Sequence, residues 1–391
     1  MDFGESPQLK MIREGVRDIA RQYGPVYWRE KDATKTFPAE FWEAMGKNGW
    51  TGALVPEEYG GSGLGAMEMA VIVEEVVAGG AGGTAGILLI ANLCFGTMSI
   101  LHHGNEEQKR KYLPMMGDGK SVFAMALTEP NAGSNALETQ TLATRNGDGW
   151  LLNGSKVFIT NIERAPAVLI LCRTKRFEEV KRRTEGMSNF LLENPAQVKG
   201  VQINAIDKLG LNALQTNQVF FQDVRLEQHH LVGKEGDGWR QILDVLNPER
   251  IVGTAVAIGL GNLAIETAVN YAKERKLFGR QIGANQGLAF PLAEAKAELE
   301  AARALNYKAA WLFDQGQPCA EEVNMAKYVA TEACWRACDW AVQTHGGYGY
   351  TRDYDVERYL REARLGRIAP VTSQMALNYI SEHVLGLPRS Y

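Results

Sequence analysis

A carboxylate and a guanidinium stand side by side at the head of an almost uncharged stretch, in the pair Glu249 and Arg250. Gly253 follows one helical turn after Glu249 and would leave room beside its side chain. A carboxylate in apolar surroundings can serve as a general base. An acid near a helix start can also serve only to stabilise the helix dipole, and the pair taken alone favours this second interpretation.

Three further stretches carry side chains that could hold a ligand. Phe123–Asn135 joins a short strand to a Pro/Gly/Ser turn, whose N–H groups and hydroxyls, Thr128 and Ser134, could hold a cofactor edge or a pyrophosphate. Val157–Asn161 ends a strand with an aromatic ring and a hydroxyl. Gln343–Tyr350 is a Gly/Tyr loop after a helix, and because it is not a G-x-G-x-x-G after a strand, it does not predict a Rossmann site.

A long helix must position Glu249. From Arg250 onward the apolar residues recur at helical spacing, and they are Ile251, Val252, Ala255, Val256, Leu260, Leu263, Ala264, Ala268 and Tyr271. Pro248 suggests a kink or a helix start next to the base. The stretch also contains three glycines, Gly253, Gly259 and Gly261. Each costs about 1 kcal/mol relative to alanine in a helix, so we expect other elements to approach closely there.

The periodicity of the whole chain predicts an α+β fold in three domains. An N-terminal helical domain (1–120) precedes a central antiparallel β-barrel or sandwich domain (121–235), and a C-terminal four-helix-bundle domain (236–391) follows. The strands of the central domain are short and are separated by Gly, Asn, Asp and Pro. They include Trp150–Gly154, Ala167–Cys172, Asn189–Leu192 and Gln218–Phe221.

Composition excludes several classes of function. The 391 residues carry a net charge of -4, which gives no basic footprint for nucleic acid. In Arg173–Glu185 acids interleave with bases, as in a solvated loop. The five cysteines form no C-x-x-C pair, which predicts neither a disulfide framework nor a metal site and fits a reducing compartment. The first ten residues predict no signal peptide, and the uncharged Val76–Leu101 favours a buried core helix over a membrane span. We therefore expect a cytoplasmic protein.

Taken in order, the stretches resemble the acyl-CoA dehydrogenase family along essentially the whole chain. The matching motifs are T-E-P-N-A-G-S (128–134), F-I-T-N (158–161), E-R-K-L-F-G-R (274–280) and Q-T-H-G-G-Y-G-Y (343–350). V-P-E-E-Y-G-G-S-G (55–63) and G-N-E-E-Q-K-R-K-Y-L-P (104–114) extend the resemblance towards the N-terminus. So many segments in the same order are not a chance match.

The resemblance implies an FAD enzyme and assigns residues to the cofactor. Those implied to touch the flavin and its pyrophosphate are Leu127, Thr128 and Ser134, while Phe158 and Thr160 would lie against the isoalloxazine ring. Those implied to reach the cofactor of a neighbouring subunit are Arg275, Phe278, Gln286, Gln343 and Gly347, and Thr372 and Gln374 match the T-S-Q of the family. Sharing of FAD across subunits implies a homo-oligomer, usually a tetramer. Ser134 and Arg250 are also expected to contact the substrate.

The resemblance also decides between the two interpretations of Glu249. Most members carry the catalytic base just before a G-T-S-Q run, and here that position is Pro370. A group resembling isovaleryl-CoA and long-chain dehydrogenases places a glutamate on the long helix before an arginine, as in Glu249-Arg250. The catalytic interpretation is therefore favoured. Because Pro370 has no N–H to donate to the thioester oxygen, Val371 or a flavin ribityl hydroxyl would have to donate instead.

The implied reaction is FAD-dependent α,β-dehydrogenation of an acyl-CoA thioester to the 2-enoyl-CoA, with electrons passing to an electron-transfer flavoprotein. Glu249 would take the α-proton while a hydride leaves Cβ for the flavin. Two alternatives stay open on the same fold. One is a flavin-dependent oxidase or monooxygenase, against which Glu249 argues, and the other is a non-catalytic flavin- or acyl-CoA-binding protein. No nucleic-acid or membrane partner is expected.

Overall fold

The computed structural model describes residues 5–390 and begins with a region of helices. These are α1 (Pro7–Gln22), α2 (Pro25–Thr34), α3 (Ala39–Lys47), α4 (Ala66–Val76), α5 (Gly82–Leu89), α6 (Ser99–His103) and α7 (Glu106–Gly117). Helices α4, α5 and α6 are joined by the wider π-helical turns Val77–Ala81 and Ile90–Met98. Together they form one helical stretch from Ala66 to His103.

The middle of the chain forms the predicted β region. Its strands are β1 (Ala124–Ala126), β2 (Leu142–Asn146), β3 (Gly149–Thr160), β4 (Ala167–Arg173), β5 (Met187–Glu193), β6 (Val201–Ala205), β7 (Thr216–Leu226) and β8 (Leu231–Val232). They lie in the order β6-β7-β3-β2-β4-β5-β8, with β1 beside β4. The sheet is mixed rather than purely antiparallel, because β1 and β2 both run parallel to β4.

Helices return after the sheet, as the periodicity predicts. They are α8 (Gly238–Glu274), α9 (Gln286–Asp314), α10 (Ala320–His345), α11 (Val356–Gly366) and α12 (Ser373–Tyr379), with a small hairpin of β9 (Lys276–Leu277) and β10 (Arg280–Gln281) between α8 and α9. Helix α8 starts at Gly238, so Pro248 lies inside it and does not mark its beginning. The residues before and after Pro248 therefore belong to one continuous helix.

The N-terminal and C-terminal helices share one hydrophobic core, and the sheet has another. Trp42 and Met69 belong to the same buried cluster as Ile258 and Leu299, whereas Trp150 and Phe190 lie in the core of the sheet. Two helical stretches, Ala66–His103 and Gly238–Glu274, are long and apolar enough to cross a membrane. Of their most apolar windows, 83% and 67% are buried inside the fold, as in the core helices of soluble proteins.

Two glycines of α8 lie where other helices approach closely, as predicted. A Cβ on Gly259 would lie 2.6 Å from the backbone oxygen of Glu74, and a Cβ on Gly261 would lie 2.7 Å from the side chain of Leu299. A Cβ on Gly253 would meet only Pro370, at an ordinary contact distance of 3.5 Å. Steric need therefore explains Gly259 and Gly261 but not Gly253.

These distances predict opposite effects for the same substitution on one helix. We expect Gly259→Ala to destabilise the protein by about 1–3 kcal/mol, because backbone must move to admit the methyl group. Gly253→Ala should be neutral or stabilising by up to about 1 kcal/mol, since the contact fits and alanine has the higher helix propensity. Thermal or denaturant unfolding of both variants measures the difference, and equal stabilities would contradict the close approach at Gly259.

Candidate active site

Glu249 lies in the body of α8, with its side chain in the interior. The residue is only 7% exposed, and within residues 5–390 nothing forms a hydrogen bond or an ion pair with its carboxylate. Cys94, on the turn Ile90–Met98, is fully buried and close enough for its thiolate and the Glu249 carboxylate to repel each other. The carboxylate is thus desolvated, and its small exposed fraction leaves it within reach of a ligand.

The turn between α11 and α12 lies beside Glu249. Gly253 is one turn further along α8, and Cδ of Pro370 lies 3.5 Å from the position of a Cβ on this glycine. The sequence offers two positions for a catalytic base, residue 370 and residue 249. The fold brings both positions to the same part of α8. A glutamate at 249 can therefore act as the base in the same region as a base at 370 would.

Burial gives the Glu249 carboxyl the pKa of a base that works near neutrality. Desolvation raises the pKa of Glu249 to about 8, although the positive charge of Arg250 opposes the shift. Burial likewise lowers the pKa of Arg250, against the attraction of Glu249. The guanidinium donates from Nη1 to Oδ1 of Asn247 at 3.0 Å, while its Nε is buried without a partner. Arg250 therefore keeps a donor free for another group.

The raised pKa also predicts how stability changes with pH. A carboxyl whose pKa rises from 4.5 to about 8 on folding stabilises the fold fully below pH 4.5, and that stability is lost as the pH rises through 8. At pH 9 the ionised Glu249 should cost about 3–5 kcal/mol. Glu249→Gln should therefore raise the melting temperature at pH 9 and change it little at pH 5. An equal shift at both pH values would contradict a buried, titrating carboxyl.

The residues predicted to contact the flavin ring meet at the ends of β1 and β3. The N–H of Val157 donates to the carbonyl of Thr128 at 2.9 Å, which places Leu127 and Thr128 beside Phe158. The Phe158 side chain is 65% exposed, and its backbone has a positive φ of 63°. Thr160 exchanges a hydroxyl hydrogen bond of 3.3 Å with Thr216. An exposed aromatic ring next to threonine hydroxyls suits the edge of a flat heterocycle.

Ser134 lies in an exposed turn anchored by buried charges. The turn follows Glu129, whose carboxylate accepts from the fully buried Lys156 at 2.8 Å and from the N–H groups of Gln140 and Thr141. Lys156 also donates to the carbonyl of Leu127 at 2.8 Å. This network ties the start of the T-E-P-N-A-G-S motif to β3, so the turn with the predicted pyrophosphate ligands has a rigid base.

The residues predicted to reach a neighbouring subunit lie far from Glu249. At 1.5 Å per residue, Arg275 is about 39 Å along α8 from Glu249. It borders a groove of ≈ 550 Å³ between the ends of α8 and α10, which His345 and Tyr348 on either side of Gly347 also line. Phe278, at the tip of the β9–β10 hairpin, is fully exposed with a φ of 51°. Arg275 and Gly347 thus share one surface that is remote from Glu249.

The other predicted cofactor contacts occupy the termini of helices. Gln286 is the first residue of α9, and Gln343 is exposed near the end of α10. Thr372 caps α12, since its hydroxyl accepts from the N–H of Met375 at 3.1 Å, and Gln374 is exposed in the first turn of that helix. The cap gives Thr372 a structural function whether or not it contacts a cofactor.

Sequence reasoning missed two residues of this region. Cys94 lies beside Glu249, but nothing in an uncharged helical run singles it out. Lys156 looks like an ordinary polar residue in an alternating strand, yet it is completely buried in an ion pair. A lysine at an inward position of β3, opposite an acid in a Pro/Gly turn, is the only signal that could have indicated this pair.

Comparison with known sequences covers nearly the whole chain. Family models of the acyl-CoA dehydrogenase N-terminal, middle and C-terminal domains match residues 6–120, 124–224 and 236–385. The chain is 41% identical over 391 residues to acyl-CoA dehydrogenase FadE12 of Mycobacterium tuberculosis, covering 100% of this chain and 99% of the relative. It is 37% identical over 382 residues to a short-chain specific acyl-CoA dehydrogenase of Clostridium acetobutylicum, covering 97% and 99%.

Solved structures give the same result. Butyryl-CoA dehydrogenase from Megasphaera elsdenii superposes with a TM-score of 0.92 at 32% identity, covering 98% of this chain and 100% of that one. A chain from a study of the electron transferring flavoprotein of Acidaminococcus fermentans gives 0.92 at 36% identity, with coverage of 98% and 100%. The FAD complex of PigA gives 0.91 at 29% identity, covering 99% and 100%.

Proposed function

Because this chain belongs to the acyl-CoA dehydrogenase family and is an oxidoreductase acting on acyl-CoA, we propose that it removes hydrogen from Cα and Cβ of an acyl-CoA thioester, with Glu249 as the base. The observation that carries the proposal is the buried carboxylate of Glu249, which lies one helical turn from the Gly253–Pro370 contact and has a pKa raised to about 8. A base with such a pKa accepts a proton well without being permanently protonated near neutral pH. The product is the 2-enoyl-CoA.

The site must make the α-proton acidic before Glu249 can take it. Negative charge develops on the thioester oxygen, and positioned donors have to stabilise it. Pro370 cannot donate, but the next N–H, that of Val371, forms no hydrogen bond within residues 5–390. We assign Val371 as the backbone donor of the turn. Losing such a donor typically costs about 3 kcal/mol of transition-state stabilisation.

Arg250 serves substrate orientation rather than proton transfer. A guanidinium stays protonated at any working pH and so cannot exchange a proton with the substrate. Its Nε is buried without a partner and remains available to an acceptor. Its charge also opposes the desolvation of Glu249, which keeps part of the carboxylate ionised near neutrality.

The residues present fit a flavin. Phe158 offers an exposed ring beside Leu127 and Thr128, and Ser134 lies on a turn that exposes its hydroxyl. We therefore assign FAD, in contact with these residues and Thr160, as the cofactor. When bound, the flavin supplies the acceptor for the hydride that leaves Cβ. The protein holds the rings in place, excludes water and removes the α-proton.

The distance between Arg275 and Glu249 supports a homo-oligomer. Helix α8 separates Arg275 from Glu249 by about 39 Å. Any FAD that binds Arg275, Phe278, Gln286, Gln343 and Gly347 must therefore lie mostly on another subunit. We also assign Thr372 and Gln374, near the C-terminus, as contacts of FAD. We propose a tetramer in the cytoplasm that passes its electrons to an electron-transfer flavoprotein.

Anaerobic titration of the purified protein with a panel of acyl-CoA thioesters tests the function. At least one thioester should bleach the flavin absorbance and yield the 2-enoyl-CoA. The reduced protein should then be reoxidised rapidly by electron-transfer flavoprotein and slowly by air. Fast reoxidation by air would favour an oxidase, and an oxidised flavin with every thioester would refute the dehydrogenase.

A further inference from the structure

The turn between α11 and α12 is closed at both ends by one carboxylate. Oε1 of Glu332, on α10, accepts from Nε of Arg367 at 2.8 Å and from the hydroxyl of Ser373 at 2.9 Å. The N–H of Ser373 also donates to the carbonyl of Arg367 at 3.2 Å. Pro370 lies between these two residues, against Gly253 of α8. Glu332 thus closes the turn that contacts α8 one helical turn from Glu249.

Positive charges surround this carboxylate. Lys327, about one and a half turns before Glu332 on α10, is 1% exposed, and its Nζ has no hydrogen-bond partner. Burial lowers the pKa of Lys327 to about 8. Glu332 opposes that change, whereas Arg250 and Arg367 add to it. Glu332 thus opposes the loss of charge that burial favours at Lys327.

The cation cluster reaches the proposed base through Arg250. Arg250 faces Glu249 on its own helix, and Tyr379 and Cys319 on other elements. The groups that face Glu249 are Arg250 and the thiol of Cys94. The positive charge of Arg250 favours the ionised form of Glu249.

We propose that Glu332 is a positioning residue: its carboxylate holds the turn 367–373 closed against α8, one helical turn from Glu249. It touches no reacting atom and acts through the turn. This inference deepens the proposed function, and it rests on that function only where enzyme activity is measured.

Hydrogen exchange of the turn tests the proposal without substrate. In Glu332→Gln the charge is lost while an amide oxygen remains, so Arg367 should be held less firmly. We expect amide exchange in residues 367–373 to be about tenfold faster than in the wild type. Glu294→Gln, the same change at an exposed site on α9, should leave it unchanged. Unchanged exchange in Glu332→Gln would overturn the proposal even if the enzyme is a dehydrogenase.

Kinetics separate positioning from a general loss of stability. We expect Glu332→Gln to slow flavin reduction about tenfold with little change in substrate affinity, since the turn no longer holds the thioester in place. Glu332→Gln also removes the carboxylate that opposes the lowering of the Lys327 pKa. The double variant Lys327→Met/Glu332→Gln should therefore regain part of the rate, because the unbalanced cation is gone. A parallel loss of substrate affinity in Glu332→Gln, or no recovery in the double variant, would show a merely structural role.

Discussion

Glutamine in place of Glu249 will leave the flavin oxidised when acyl-CoA is added. The amide keeps the size of the side chain but cannot accept the α-proton, so we expect the rate of flavin reduction to fall by at least about 10³-fold. Binding should persist, because the amide keeps the size of the side chain. Anaerobic stopped-flow absorbance measures the rate, and ligand-induced perturbation of the oxidised flavin spectrum measures the binding.

The same substitution at Glu266 is the matched control. Glu266 lies on α8 as well, but it is exposed, so Glu266→Gln should reduce the flavin at the wild-type rate. Equal rates in wild type and Glu249→Gln would rule out Glu249 as the base. Slow reduction in both variants would point to a general effect of charge on α8.

The pH profile of the wild type provides a second signature of the base. Glu249 must be ionised to take a proton, and burial raises its pKa to about 8. The value of kcat/KM reports the pKa of the base in the free enzyme. It should therefore rise with pH up to about 8 and then level off. An acidic limb near the ordinary carboxyl range would mean that the carboxyl is solvated in the working enzyme.

Local patterns predicted the elements of the fold well. The short runs bounded by Gly, Asn, Asp and Pro correspond to β3, β4, β5 and β7. Strands β4 and β5 are buried along almost their whole length, so their apolar residues follow one another without alternation. The helical stripe after Arg250 is the buried face of α8, and the glycine spacing correctly indicated tight packing at Gly259 and Gly261. These features depend on neighbouring residues alone, so a single sequence carries them.

Long-range pairings were not predictable in the same way. Parallel pairing of β1 with β4 joins segments more than forty residues apart, and nothing local specifies it. Burial of Lys156 is tolerable only because Glu129 supplies the opposite charge. The charges around Lys327 come from three separate elements. For the candidate site, patterns indicated Glu249, but its apolar surroundings and raised pKa follow from the packing of α8 against distant helices.

Methionine in place of Lys156 should destabilise the protein strongly. Lys156 is completely buried, donates to Glu129 and to the carbonyl of Leu127 at 2.8 Å each, and lies directly beneath the predicted flavin contacts. Lys156→Met would leave Glu129 as a buried carboxylate without a counter-charge. Breaking a buried pair in this way costs about 3–5 kcal/mol. Thermal unfolding measures the loss, and flavin content after purification should fall with it.

The double variant distinguishes the stranded charge from lost packing. In Lys156→Met/Glu129→Gln the glutamine oxygen can still accept from the N–H groups of Gln140 and Thr141, and no charge remains to be balanced. We expect it to be more stable than Lys156→Met, with the excess given by a double-mutant cycle. Lys308→Met is the control. The Lys308 side chain is largely exposed, so its ion pair with Glu322 should stabilise the fold by at most about 1 kcal/mol. If the double variant is as unstable as Lys156→Met, the loss arises from packing, and the ion pair is not what anchors the turn.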